Sequence, residues 1–309
     1  MTDARGSSNA AGILALVAGM LAGCGGGSSG GDAGPATCGR GDGGPAKLCV
    51  GVGATSPLCT SSPALASVTD LSGTWVLETI GAQTVSVPAY ANPFHLKSIN
   101  VILVQVVQNG NDVTLNGQYC DRIQHDDPSN PAQVIVLDRW RGTPSTVQRA
   151  GTFALDSSSG QWTLTLPTLV EVFGATLTDP VCEALPTGLD DLRLVDVDND
   201  GYPGLSVGLG GTGSLISGTL RSVQRQATAL HGLAVAAERV EGGMAYESDE
   251  SVVASDPANL RCLYLMATSS ADPAVCRSSF VMVKVPDVTD AGAVNCDWVR
   301  ANESALLGL

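Results

Sequence analysis

At 309 residues, with 44% hydrophobic and 15% charged side chains, the chain is long enough for one large domain or two smaller ones with real cores, which excludes an intrinsically disordered protein. Lys and Arg number 16 against 30 Asp and Glu, a net charge of -14, so nucleic acid is excluded as an expected partner because polyanions would be repelled. Aromatic residues are scarce at 4% while glycines number 37, a balance that suits turn-rich β structure better than long helices.

The first predicted element is Ala11 to Gly23, an uncharged run too short to span a bilayer comfortably and suited to the apolar part of an export signal. It ends in Leu21-Ala22-Gly23-Cys24, which resembles the bacterial lipobox at all four positions. The resemblance implies that residues 1–23 are a lipoprotein signal peptide and that Cys24 becomes the acylated (diacylglycerol- and palmitate-bearing) first residue of the mature chain. The positive region before it is weak, since Arg5 is offset by Asp3. An uncleaved membrane helix with an incidental cysteine is the alternative, but the Gly-Gly-Gly-Ser-Ser-Gly-Gly run after Cys24 would continue a helix poorly. Acyl chains contribute about 0.8 kcal/mol per buried methylene, so more than one chain gives lasting membrane attachment. By resemblance to the sorting rule of diderm bacteria, Gly25 after the lipidated cysteine implies the outer membrane of the cell envelope.

Residues 24–62 are rich in Gly, Ser, Ala and Pro and read as a disordered tether. Of the nine cysteines, lipidation of Cys24 leaves eight, an even number that suits disulfides in an oxidising compartment. A zinc site is not expected, because no Cys-x-x-Cys pair or Cys/His cluster occurs. Connectivity does not follow from spacing alone; local closure among Cys38, Cys49 and Cys59, with Cys262 to Cys276 across a short loop, is the expectation.

Residues 63–309 read as an antiparallel, all-β domain, a β-barrel or β-sandwich with a short C-terminal helix. The first strand opens at Leu71-Ser-Gly-Thr-Trp75. The clearest hairpin joins Ile99–Gln108 to Val113–Cys120 through Asn109-Gly110-Asn111-Asp112, where Gly accepts the positive φ of a tight turn. A second joins Gly151–Leu155 to Gln161–Leu166, with Trp162, Leu164 and Leu166 on one face. Further strand candidates are Gln133 to Trp140, Ser214 to Gln226, Leu233 to Val240 and Ser279 to Val285, and only Asp297 to Leu307 reads as helical.

Gly73-Thr74-Trp75 resembles the Gly-x-Trp of the lipocalin superfamily, which implies an eight-stranded barrel closed at one end by the tryptophan and holding an apolar ligand. The plainer reading is an ordinary core tryptophan. The mature sequence as a whole also resembles lipoproteins of the myxobacterial type, in which a domain opening with a Ser-Gly-Thr-Trp-like strand carries an Asp-rich loop in mid-chain; that resemblance implies an architecture and no activity.

That loop, within residues 190–204, is the most specific chemical motif. Asp196-Val-Asp198-Asn-Asp200-Gly201 sets alternate carboxylates on one side of a turn that Gly201 permits, and calcium needs several such oxygens. The motif resembles the loops of EF-hands, dockerins and thrombospondin-like repeats. Carried over, the resemblance makes Asp196, Asp198 and Asp200 direct ligands, has Tyr202 offer its backbone carbonyl, and lets Gly204 admit a water. The twelfth position is Val207 rather than a bidentate Glu, so further ligands would have to come from elsewhere, with Asp190 and Asp191 as candidates. An acidic, solvated turn without an ion is the alternative.

Gly208-Leu-Gly210-Gly-Thr-Gly213 fits a dinucleotide pattern but lacks a βαβ context, and His125-Asp126-Asp127 before Pro128 reads as a solvated loop. No nucleophile elbow or zinc-protease helix appears, so no catalytic residue is assigned. The expectation is a non-enzymatic, lipid-anchored envelope protein with a structural or binding β domain stabilised by calcium and disulfides, its partners the membrane and either a small apolar ligand or another envelope protein. Two rivals remain: a lipocalin-like carrier of an apolar ligand, and an extracellular metal-dependent hydrolase using the acidic loop.

Overall fold

Regular pairing begins where apolar and polar residues start to alternate, at Gly73. The computed structural model describes residues 58–60, 62–63, 68–86, 93–126, 134–136, 146–209, 217–261, 268–285 and 294–307. The predicted signal segment, with Cys24, and nearly all of the predicted tether lie outside them. In chain order the elements are β1 (Gly73–Ser86), β2 (Phe94–Asn109), β3 (Asp112–Asp126), β4 (Val134–Val136), β5 (Thr146–Asp156), β6 (Gln161–Phe173), β7 (Leu205–Leu209), β8 (Gly218–Ala236), β9 (Arg239–Asp256), β10 (Thr268–Ala271), β11 (Ser279–Lys284) and the helix α1 (Cys296–Leu307). No helix among the described residues is long and apolar enough to cross a membrane.

The strands close on themselves. Strands β1, β2, β3, β5, β6, β8, β9 and β11 pair antiparallel in that order, and β11 returns to β1, with Trp75 opposite Lys284. Eight strands thus form an up-and-down ring in chain order, which leaves no open edge along the paired stretch. The branch β7–β4 runs beside the far end of β8, and β10 flanks the end of β1. Of the two antiparallel architectures expected from sequence, barrel and sandwich, the closed barrel is the observed one.

Both predicted hairpins are present. Asn109 pairs with Asp112 around Gly110, whose φ of 63° is the one positive value in that loop, and Asp156 pairs with Gln161 across the Ser-Ser-Ser-Gly turn. Other boundaries differ. The stretch predicted as one strand, Leu233 to Val240, is the β8–β9 hairpin, with Ala236 opposite Arg239. Its turn lacks Gly, Asn and Pro, so no local signal marks it; register decides it, because Ala234 and Val240 both go to the interior. Strand β6 runs past Leu166 to Phe173, and its register with β8 shifts between Leu166 and Leu169, which carries it past Pro167 with its missing N–H. His125 and Asp126 end β3 opposite Lys97 and Leu96 rather than forming a loop, since pairing with β2 continues that far. Gly208 lies within β7. Gly232 and Gly242 face each other across β8 and β9 under the Phe280 ring; a Cβ on Gly242 would stand 2.4 Å from the Cα of Gly232 and 2.7 Å from that ring.

The barrel interior has two halves. Around Trp75 it is apolar: Trp75, Leu77, Leu115, Phe153, Leu164, Leu166, Leu230 and Met282 are each under 2% exposed and fill the space, as side chains do in small barrels. The Trp75 indole N–H donates to the Leu71 carbonyl at 2.7 Å, so the ring's one polar atom is satisfied. Toward the other end polar side chains meet. The Tyr119 hydroxyl donates to the Glu171 carboxylate at 2.6 Å, and the Gln226 amide adds a bond at 3.2 Å. Arg149 donates to the Thr228 hydroxyl and carbonyl and to the Pro167 carbonyl at 2.9 to 3.1 Å. Burial, with the Glu171 charge second, holds the Tyr119 hydroxyl well above the usual phenol range, and burial lowers Arg149.

Outside the barrel, α1 lies on the walls of β3, β2, β1 and β11, packing Val299, Leu307, Trp298 and Leu306 among Cys120, Val76, Ile99, Val101 and Val281. Asn295 caps it, accepting from the Trp298 N–H at 2.9 Å.

The disulfides correct the local pairings expected from spacing. Cys276 pairs with Cys59, across 217 residues, and Cys120 pairs with Cys296, across 176. Cys182 is also disulfide-bonded, while Cys38, Cys49 and Cys262 lie outside the described residues. Closure of the barrel brings chain-distant positions together, which spacing does not encode. The end of the predicted tether is already on the barrel, because Cys59 is bonded there and Thr60 and Ser62 donate to the Glu241 carboxylate. Disulfides persist in oxidising compartments, so the chain is extracytoplasmic.

Candidate metal centre

Residues 174–204, between β6 and β7, leave the barrel and fold back on the outer face of β8. The excursion starts at Gly174, whose φ is 88°, and its arms bridge at Ala175 and Leu194 and again at Asp196 and Gly204. Ala175 and Leu185 bury themselves against Val223 and Val253. One side chain of β8 ties it down: the Arg225 guanidinium, fully buried, donates to the carbonyls of Pro180, Val181 and Glu183 at 2.8 to 3.3 Å and to the Asp249 carboxylate at 2.7 Å. Arg193 links the arms by pairing with Asp191 at 2.6 Å and Glu183 at 2.7 Å. Those contacts hold the Asp191 carboxyl down at about 2.

At the tip the acidic motif closes into a compact loop. Gly201 has a φ of 89°, a left-handed value that glycine adopts without steric cost, as the sequence pattern expects. The Asp196 carboxylate accepts from the Gly201 N–H at 3.0 Å, Asp198 from the Ser206 N–H at 2.7 Å, and Asp200 from the Tyr202 N–H at 2.8 Å and the Ser206 hydroxyl at 2.5 Å. One oxygen from each aspartate lies within 4.8 Å of the other two. Asp196 and Asp198 each keep a second oxygen, Oδ1, that is buried and accepts no hydrogen bond. Asp198 is 7% exposed, and its carboxyl is pushed up to about 6, first by burial and then by the neighbouring Asp200 charge against the opposing Ser206 N–H.

The residues present fit a hard divalent cation: three carboxylates converge, and two of their oxygens are without donors in a place water does not reach. Tyr202 contributes its N–H to the loop, while its ring lies 3.7 Å beneath the Arg221 guanidinium. Asp191 is committed to Arg193, and neither it nor Asp190 joins the cluster of three. Val207, the twelfth position, is a buried strand residue of β7.

Sequence reasoning missed a second charged cluster. His95 of β2, Asp272 after β10 and Arg277 meet beside the Cys59–Cys276 disulfide, with His95 Nδ1 2.7 Å and Arg277 Nη1 2.9 Å from the Asp272 carboxylate. Three chain-distant residues of common types offer no local pattern to read. The chain matches no known protein family, no curated protein and no solved structure.

Proposed function

We propose that this protein is a non-enzymatic, lipid-anchored component of the cell envelope, held at the outer membrane through Cys24, whose disulfide-bonded β-barrel is stabilised by one structural calcium ion at Asp196, Asp198 and Asp200. The observation that carries the reading is the pair of buried carboxylate oxygens, Asp196 Oδ1 and Asp198 Oδ1, that receive no hydrogen bond. A buried acceptor without a donor costs about 1 to 3 kcal/mol, and more when charged; a cation seated there removes that cost. The Tyr202 carbonyl is the fourth ligand in this reading. When bound, the ion supplies charge neutralisation, and the chain's own residues set its place: Gly201 turns the loop, and Ser206 orients Asp198 and Asp200 from the first strand that follows.

Calorimetric titration with calcium, and melting in calcium against chelator, test the ion. A site of extracellular type, with a Kd of about 0.1 mM, gains about 1.4 kcal/mol at about 1 mM calcium. No heat of binding together with equal melting temperatures overturns the ion. The anchor is tested separately: Cys24→Ser abolishes lipid labelling and membrane retention, and persistence of either rejects it.

The closed eight-stranded ring supports a second reading, a carrier of a small apolar ligand. Against it, side chains fill the apolar half of the interior and charged groups occupy the other. Displacement of a fluorescent fatty acid by competing lipid would favour the carrier; failure of the probe to bind sinks it.

A further inference from the structure

Among the described residues, Glu78 is a carboxylic acid in an apolar seam. It sits on the outer face of β1 between Val76 and Ile80, which both belong to the cluster beneath α1. It is 4% exposed, and its Oε2 is buried with no hydrogen-bond partner. Its paired neighbours on β2 and β11, Val101 and Val281, carry no charge. The charged groups that face it are Glu303, from α1, and Arg239, from the start of β9, whose guanidinium is already paired with Glu241 at 2.5 Å. An ionised carboxylate without a donor in such a place is costly, so either the acid stays protonated or the seam opens to water.

We propose that Glu78 is a proton-operated latch for the C-terminal helix, which lies closed on the barrel when Glu78 is neutral and lifts when Glu78 ionises. The hinge is built in. Cys296 is tied to Cys120 and Arg300 donates to the Cys120 carbonyl at 2.7 Å, so the start of α1 stays attached, while residues 301–307 rest on the wall through the apolar contacts of Leu306 and Leu307. Burial first, and the Glu303 charge second, push the Glu78 carboxyl from 4.5 up to about 7. The closed form therefore binds the extra proton. Its advantage is complete below the ordinary glutamate value and is lost as pH rises toward about 7. Acidification closes the seam; mild alkalinity opens it.

Hydrogen exchange of the full chain, corrected for intrinsic rates, reads the latch directly. Protection of residues 301–307 should fall by roughly tenfold to a hundredfold between about pH 5 and about pH 8, while the barrel strands keep theirs. Glu78→Gln, neutral at every pH, should remove the fall. Should that variant not fold, Glu303→Gln serves instead: with the like charge gone the Glu78 carboxyl ionises more easily in the closed form, so the fall should be smaller and end at a lower pH; a fall unchanged from the wild type in size and midpoint counts against the latch. Equal wild-type protection at both pH values, or an unaltered fall in Glu78→Gln, overturns it.

Discussion

Two acidic places in this molecule solve the same problem differently. Inside the barrel, Glu171 receives hydrogen bonds from Tyr119 and Gln226, and its charge favours the ionised form of the Arg149 guanidinium. In the excursion, Asp196, Asp198 and Asp200 share backbone N–H groups and one hydroxyl but keep two buried oxygens unmet. A closed sheet brings donors from several strands around one carboxylate. A short loop supplies only its own few N–H groups, so the charge gathered there leaves oxygens that a cation could use.

The largest effect is expected where the excursion meets the barrel. Arg225→Ala removes the buried guanidinium that holds three carbonyls and Asp249, and should cost about 3 to 5 kcal/mol in denaturant unfolding. Hydrogen exchange should place the loss in residues 174–204, and a loss spread evenly over the barrel would show that the two regions are not separate. Next, Tyr119→Phe leaves Glu171 one donor short and should cost about 1.5 to 3 kcal/mol, the worth of a hydrogen bond to a charged group. A neutral result would mean that water replaces the phenol and that the barrel acid is no better satisfied than the loop.

Asp198→Asn sharpens the contrast through a change of sign. In chelator the variant should match or exceed the wild type by up to about 1 kcal/mol, because a buried charge beside two others is gone; in calcium it should fall about 1 kcal/mol below it. Melting curves in the two media read both values, and a variant that is equally destabilised in each would make Asp198 a plain hydrogen-bond acceptor for Ser206. The smallest effect is Leu192→Ser. That side chain is fully exposed on the excursion, so stability should stay within about 0.5 kcal/mol.

Much of the wall was legible from local pattern. The Gly110 hairpin, the Ser-rich hairpin before Gln161 and the helix from Asp297 each carry their signal within a few residues, through turn chemistry or period. Strand β9 was not anticipated, because Ser248 to Ser251 are polar and the strand is held by pairing with β8 along nearly its whole length. The acidic loop was legible for the same reason as the hairpins: its aspartates, their spacing and the turn glycine are contiguous. Arg225, Glu171 with Tyr119, and the His95–Asp272–Arg277 cluster were not, since each consists of common residues that become partners only across strands.

By itself, then, the amino-acid order determined the β class, the tightest turns, the terminal helix and the three clustered aspartates, all of which depend on steric and hydrogen-bonding preferences acting over a few residues. Tertiary structure alone decided that eight strands close into a ring, that Cys59 meets Cys276 and Cys120 meets Cys296, and that Glu78 lies under the helix. These are pairings between distant parts of the chain, chosen by register and by the need to bury both faces of a curved sheet, and no short stretch of sequence contains both partners.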